Sequence, residues 1–408
     1  MLDLVCDTLC GPGAAGMVFA KNSDRPVGEV QLAMPFGRRP TAGCTLRTQY
    51  LSIGDTGAHA VFLSCPTWLW GAEHGVNEFG VAIGNERVST VHDHAGRRPG
   101  LIGMDFVRLG LERASTAPHA LEILIELLAT YGQGGIADAV HNEAYDSSFL
   151  IADATEAFVL DTSGTEYAAA PVTRGTAISN RLTVGTQWTQ ASPDLAPGDD
   201  FDRFRDLDAP TASADARRSA GLAFLRAQRD RGAGLAPAEV AAHLRDHGHG
   251  PWGAPGSHGP AQPPPAGGPG PGGASVCMHE SQRAVTAASF IAVLPTDLAE
   301  GAPLRAYVAS GSPCASIFVP AFPRTAAGPP PFVPFELSCE PMWRAADAVR
   351  QRVDADPEAI EEVRSVLDPI EDELWAEADD VVDRPQEWSA VAATWGERAL
   401  RALLSCAP

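Results

Sequence analysis

The sequence predicts an α+β domain in which antiparallel sheets pack on each other and helices lie outside them. Short apolar runs divided by Gly and Pro turns fill residues 2–84, two helical stripes follow at 104–131, and a second group of strand-like runs begins at 148. The final residues carry helical stripes again, so additional C-terminal helices complete the expected architecture.

The chain opens on Leu2-Asp3-Leu4-Val5-Cys6-Asp7-Thr8, an apolar run suited to a strand. Cys10-Gly11-Pro12-Gly13 reads as a turn and residues 16–21 as the returning strand of a hairpin, which carries Lys21-Asn22-Ser23-Asp24-Arg25-Pro26 back beside Cys6. Further strands are expected at 48–53, 59–64 and 80–84, an antiparallel set rather than βαβ repeats. Met104, Val107 and Leu111 then recur at helical spacing, and Leu121, Leu124, Ile125 and Leu128 mark a second helix over 118–131. Strands resume at 148–153, 157–161, 167–172 and 176–180, and later at 287–294, 306–310 and 317–320. Between these groups, about 248–274 is so rich in Gly and Pro that it cannot build a core, and an exposed mobile loop is expected.

Ile360, Val363, Leu367, Ile370 and Leu374 form an apolar stripe edged by acidic residues, with Asp368-Pro369 set either to cap a new helix or to kink a continuing one. Trp388, Val391, Trp395 and Leu403 mark the last amphipathic segment. The expected division is a sandwich domain at 1–335 and a helical extension at 336–408 packed on it.

Composition narrows the functions. The 408 residues are 45% apolar, enough for a sizeable core. The 51 acidic residues outnumber the 30 basic ones for a formal net charge of -21, which works against nucleic acid and anionic lipid partners. Eight cysteines are spread thinly along the chain, with no secretory leader read ahead of them. Reduced thiols and a cytoplasmic setting are therefore expected.

Cys6 is the residue of greatest chemical interest. If the bond after Val5 were cut, Cys6 would carry both a thiol nucleophile and a free α-amine as its base. Ordinary pKa values of about 8.5 and about 7.7–8.0 would let these two groups exchange a proton near neutrality. An intact bond removes that base, and Cys6 then reads as a small apolar residue filling a buried strand.

Several stretches together resemble the secernin group of the C69 dipeptidase family, within the N-terminal nucleophile (Ntn) hydrolases. They are Cys6-Asp7-Thr8, Phe19 through Pro26, Trp68-Leu69-Trp70-Gly71-Ala72-Glu73 running on to Gly84-Asn85-Glu86, and Ile178-Ser179-Asn180. Ser148 through Asp153, Cys277-Met278-His279 and Ser312 through Pro320 extend the likeness over most of the chain. The resemblance implies a four-layer αββα Ntn-hydrolase sandwich and attack on an amide by an N-terminal cysteine, here Cys6. It further implies Asn85 as oxyanion donor, Asn180 as a second asparagine near the nucleophile, and Asp24 as the acceptor that holds the protonated amine. Related acylases carry an arginine a few residues before this aspartate; here the segment reads Lys21-Asn22-Ser23, and Lys21, Asn22 and Arg25 are the candidates to replace it. Arg25 also suits a substrate carboxylate. Trp68 and Trp70, on one face of a strand, and Glu73 are candidates for the substrate pocket. Arg217 and Arg218 fall where related acylases have a further active-site arginine, with a poor local match.

The expected function is therefore hydrolysis of a dipeptide or other small amide by a cysteine enzyme activated by removal of residues 1–5. Acyl transfer to an amine and a non-catalytic regulatory role are the alternatives. The expected partner is the small substrate alone, and the C-terminal stripes would suit a homo-oligomer. No cofactor is expected. His243, His247, His249, His258, Cys277 and His279 have the right chemistry for zinc but no tight paired spacing, so no metal site is read.

Overall fold

The hairpin that opens the chain becomes the middle of a sheet. In the computed structural model, which describes residues 6–41, 43–92, 98–247, 275–280, 283–323 and 332–408, the first half holds β1 (Cys6–Pro12), β2 (Gly16–Pro26), β3 (Gln31–Phe36), β4 (Thr45–Arg47), β5 (Ser52–Gly54), β6 (Val61–Pro66), β7 (His74–Asn77) and β8 (Ala82–Val88). Helices α1 (Gly103–Arg113) and α2 (Ala117–Tyr131) follow, then β9 (Asp146–Ala152), β10 (Ala157–Ser163), β11 (Glu166–Pro171), β12 (Thr176–Ile178) and β13 (Gln190–Ala191). Next come α3 (Ala212–Asp230), α4 (Pro237–Leu244), β14 (His279–Glu280), β15 (Ala284–Pro295), β16 (Arg305–Ser310) and β17 (Val319–Ala321). The chain ends in α5 (Glu340–Ala355), α6 (Ala359–Val381), α7 (Trp388–Val391) and α8 (Trp395–Cys406).

Two antiparallel sheets result. The first has the order β12-β1-β2-β15-β16-β17, with β14 on β15; the second has the order β13-β11-β10-β9-β8-β7-β6-β3. Alternation along β1 and β2 sends Cys10 and Phe19 into the core between the sheets, against Phe62 and Leu150. The same alternation turns Leu9, Val18 and Ala20 outward onto Leu225 of α3 and Val240 and Leu244 of α4. On the far side, Ile83, Ile151 and Leu160 of the second sheet bury against α1 and α2. The layers therefore run helix, sheet, sheet, helix, which is the αββα sandwich that the resemblance implies. Helices α5, α6 and α8 join the inter-sheet core through Val349, Leu367 and Leu403. Among the described residues, no helix is long and apolar enough to cross a membrane.

Several expectations change. The outer layer made by α3 and α4 is absent from the sequence reading because the buried face of α3 consists of Ala214, Arg217, Ala220, Gly221 and Gln228, which make no stripe of large apolar residues. The strand expected at 48–53 is instead a two-stranded ribbon, β4 with β5, outside both sheets. Trp68 and Trp70 lie in the turn after β6, so they do not share a strand face. Helix α6 continues through Pro369. The Gly- and Pro-rich stretch at 248–274 and the first five residues lie outside the described residues.

Candidate active site

Cys6 starts β1 with its side chain between the sheets, only 6% exposed. Its register partner on β2 is Ser23, which brings the thiol against the next peptide: Asp24 N–H donates to Cys6 Sγ at 3.3 Å. The backbone of Cys6 is held as firmly. Cys6 N–H donates to Asn180 Oδ1 at 2.7 Å, and Cys6 C=O accepts from Ser179 Oγ and from Arg217 Nη1, each at 3.2 Å.

The reason lies in where β12 stops. Its last residue, Ile178, pairs with Thr8, so Ser179 and Asn180 run past the end of the ladder and over Cys6. Arg217 reaches the same point from α3, donating also to Asp7 Oδ2 at 2.7 Å and Asn180 Oδ1 at 3.1 Å. The small face of α3 allows this approach, since a Cβ on Gly221 would stand 2.8 Å from Ala177 Cβ. Burial works against the Arg217 charge, but Asp7, Asp24 and Cys6 outweigh it and keep the guanidinium firmly protonated.

Asp24 faces this cation. One carboxylate oxygen accepts from Thr286 Oγ1 at 2.6 Å, and the other, Oδ2, is buried with no hydrogen-bond partner among the described residues. Burial pushes this carboxyl well up from its usual range; Arg217 pulls it down and Asp7 pushes it up again. A bulge between Thr286 and Ala288 shifts the register of β15 against β2 at this position, and such an extra residue aims a side chain that a regular ladder would not.

On the inter-sheet side Lys21 lies fully buried. Its ammonium donates to Asn85 O at 2.7 Å and to Glu86 Oε1 and Oε2 at 3.2 and 3.1 Å. Thr8 Oγ1 also donates to Glu86. Gly84 makes room for this chain, because a Cβ there would meet Lys21 Cδ at 3.0 Å and Phe19 Cζ at 3.1 Å. Burial raises the Cys6 thiol pKa well above its ordinary value; Lys21 draws it back, while Glu86, Glu73 and Asp24 push it up. The thiol is thus protonated at neutral pH, and any attack by sulfur needs a base beside it.

The structure brings together Cys6, Asp24 and Asn180, and joins Lys21 and Arg217 to them. Asn85 stands one step away. It pairs with Phe149 across β8 and β9 and so faces the α1 layer; with the amide nitrogen toward Glu73, it donates to Glu73 Oε2 at 3.1 Å and Glu73 O at 2.9 Å. The opposite amide orientation offers that nitrogen only Met104 Sδ at 3.7 Å, so the Glu73 orientation is the better satisfied.

Arg25 and Glu73 pair at 2.9 Å. Arg25 is otherwise committed to Glu29 at 2.6 Å, Tyr145 Oη at 3.4 Å and Ala137 O at 3.2 Å, which leaves it no fork for a substrate carboxylate. Asn22 is not near the thiol. It opposes Asp7 on the other face of the strand and spends its amide on Leu244 O and Val276 O, both at 2.8 Å, and on Ser289 Oγ at 2.5 Å. Of the three candidates for the missing arginine, Lys21 is therefore the one whose charge faces Cys6. Trp70 lies under the Arg108 guanidinium, 4.3 Å from its ring centroid, in the α1 core. The residue between the tryptophans, Leu69, packs instead with Met104, Tyr145 and Met278.

Glu86 and Ser179 fall inside the stretches that carry the resemblance but are given no role there, and their polarity inside apolar runs is the available signal. Thr286 and Tyr145 carried none.

Fold and site together define a layered αββα protein with a buried, charge-surrounded cysteine at the head of a central strand. No protein-family model matches the chain. Similar solved structures include a mutant conjugated bile acid hydrolase from Clostridium perfringens, at 12% identity over 74% of this chain and 88% of that one, with a TM-score of 0.43. Penicillin V acylase from Agrobacterium tumefaciens is similar at 12% identity over 75% and 82%, with a TM-score of 0.43. An N-acylethanolamine-hydrolyzing acid amidase ortholog from Caenorhabditis elegans is similar at 12% identity over 44% and 71%, with a TM-score of 0.31. At this level of likeness the activity has to be read from the residues themselves.

Proposed function

We propose that the chain is a cysteine-nucleophile amide hydrolase of the Ntn type, activated by loss of residues 1–5, with Cys6 as nucleophile and its freed α-amine as base. Within that class, the sequence resemblance favours a secernin-like, C69-type enzyme acting on a dipeptide or other small amide. One observation carries the reading: the nitrogen that cleavage would free already sits 2.7 Å from Asn180 Oδ1, beside a thiol fixed by the Asp24 peptide. The β1–β12 ladder ends at Thr8, so a side chain rather than a strand supplies that acceptor.

In the processed enzyme, the thiol passes its proton to the amine as sulfur attacks the amide carbon. The resulting ammonium has Asn180 Oδ1 as its acceptor, and the nearby Asp24 carboxyl is the group expected to hold its charge. The oxyanion donor that the resemblance implies is Asn85, whose amide would have to leave Glu73 to reach the intermediate; one such donor contributes roughly 10²–10³ in rate. The ammonium then protonates the departing nitrogen, the C–N bond breaks, and a thioester remains on Cys6. Water, deprotonated by the amine, attacks that thioester and restores the thiol. Leu69, Met104, Tyr145 and Met278 form a buried apolar cluster, and Tyr145 joins it to the Arg25–Glu73 pair.

The test combines intact mass with an amide panel. The expected result is a chain beginning at Cys6 that releases amine from dipeptides or small acyl amides. Full-length chain in every active preparation would defeat the free-amine mechanism, and undiminished activity in Cys6→Ala would remove Cys6 from it.

A further inference from the structure

Behind the site lies a second constellation that the proposed hydrolysis does not use. His247, Cys277, His279 and Cys314 are all buried, and one ligand atom from each lies within 4.8 Å of the other three. They come from separate pieces of chain: three residues beyond α4, the segment leading into β14, the first residue of β14, and the helical turn Pro313–Ala315. We propose that these four side chains bind one zinc ion as a closed structural site.

The distances fit that ion. His279 Nε2 lies 3.4 Å from Cys277 Sγ and 3.2 Å from Cys314 Sγ. A tetrahedral zinc with bonds of about 2.3 Å to sulfur and about 2.0–2.1 Å to nitrogen has S···N edges of about 3.5 Å, so a small relaxation seats the metal. The rings of His247 and His279 stand edge to face with centroids 5.1 Å apart, which lets both address one point.

The surrounding groups hold the ligands in place. His279 turns its other nitrogen, Nδ1, to Asp354 Oδ1 at 2.7 Å, and Asp354 is itself paired with Arg350. A carboxylate behind a histidine in this way fixes the tautomer whose Nε2 lone pair points toward the two sulfurs. Cys277 N–H donates to Asp246 O at 3.1 Å, and its carbonyl accepts from Ser275 Oγ at 2.6 Å. Arg245 Nε anchors Pro313 O at 2.9 Å. Four protein ligands from anchored backbone leave no open position for substrate, which marks a structural rather than a catalytic metal.

The ion would also steady the active site. It would join the two sides of residues 248–274, since His247 precedes that stretch and Cys277 follows it, and loop closure of this kind stabilises through the unfolded chain. From there the path to the carboxylate is short: Met278 N–H donates to Thr286 Oγ1 at 2.9 Å, and Thr286 donates to Asp24. In sequence, His247, Cys277 and His279 stand in or beside the Gly- and Pro-rich stretch without tight paired spacing, and Cys314, 35 residues beyond His279, is not among the candidate ligands. His243 stays apart, stacked on Phe224, and His249 and His258 lie outside the described residues.

The test uses untagged full-length protein purified with reductant and without chelator. Plasma mass spectrometry should find one zinc per chain, and cobalt exchanged into the site should give thiolate-to-cobalt charge-transfer absorption. The double variant Cys277→Ser with Cys314→Ser should lose both signals, and chelation should lower the melting temperature of the wild type in a way that added zinc restores. Wild-type protein that takes up no zinc or cobalt even after reconstitution would overturn the proposal whether or not the variant folds. A wild-type chain two hydrogens lighter, with Cys277 and Cys314 joined as a disulfide, would overturn it as well.

Discussion

Cys6 and Cys314 are both buried thiols beside the same sheet, yet their neighbours suit them to opposite tasks. Around Cys6 the sulfur receives one peptide N–H, and the remaining groups are charges at one remove: Lys21, Glu86, Asp24 and Arg217. Such a thiol keeps its proton until a base arrives. Cys314 instead meets three other soft or imidazole ligands on closed backbone. What the pair teaches is that burial alone assigns no role to a cysteine; the donor set within a few ångströms does.

The comparison is broken most severely by Cys6→Ala. Activity in an amide assay should fall at least about 10³-fold, while zinc content and melting temperature stay near wild type. A parallel loss of zinc would mean that the two sites are one unit.

Arg217→Gln comes next. Removing the cation leaves Asp7 and Asp24 without their partner in a buried setting, so a stability loss of about 3–5 kcal/mol is expected in denaturant titration. The amide turnover should drop roughly 10²-fold, because the Cys6 carbonyl and Asn180 lose the group that orients them. Wild-type stability in this variant would show that Arg217 is not the centre of the network.

Glu86→Gln sharpens the electrostatic half. Burial pushes the Glu86 carboxyl up to about 7, with Lys21 and Thr8 pulling it back. The unfolded chain releases that proton near the ordinary value of 4.5, so between about pH 4.5 and 7 the folded form holds more protons and this group's contribution to stability falls as pH rises. The Gln variant should therefore lose part of the downward slope across that window, measured by melting at stepped pH. An unchanged slope would place the titration elsewhere.

The smallest kinetic effect is expected from Trp70→Ala. Since Trp70 packs under Arg108 in the α1 core, KM should stay within about twofold while stability drops by about 1–3 kcal/mol. A large rise in KM would return this tryptophan to the substrate site.

The hairpin that delivers Asp24 to Cys6 was legible because alternation and a Gly-Pro turn are local properties of ten or twenty residues. Both early helices were legible for the same reason, as Leu and Met at helical spacing advertise a buried face. Arg217 was nearly invisible, since its helix buries small and charged residues, and only the fold shows that an arginine is what Cys6 and Asp7 require. Strand alternation would pair Trp68 with Trp70, whereas both lie in the turn after β6 and Trp70 packs in the outer core.

By itself the sequence determined a layered α+β class, the strand that carries Cys6, and the residue types for thiol chemistry. Only the tertiary structure decided that Lys21 rather than Asn22 faces the thiol, that Arg217 closes the ring around it, and that four scattered ligands meet at one point. The physical reason is range. Strand and helix periodicity act between neighbours in the chain, whereas a site is made by which face of each strand turns inward and by contacts spanning up to 262 residues, as between Thr286 and Asp24.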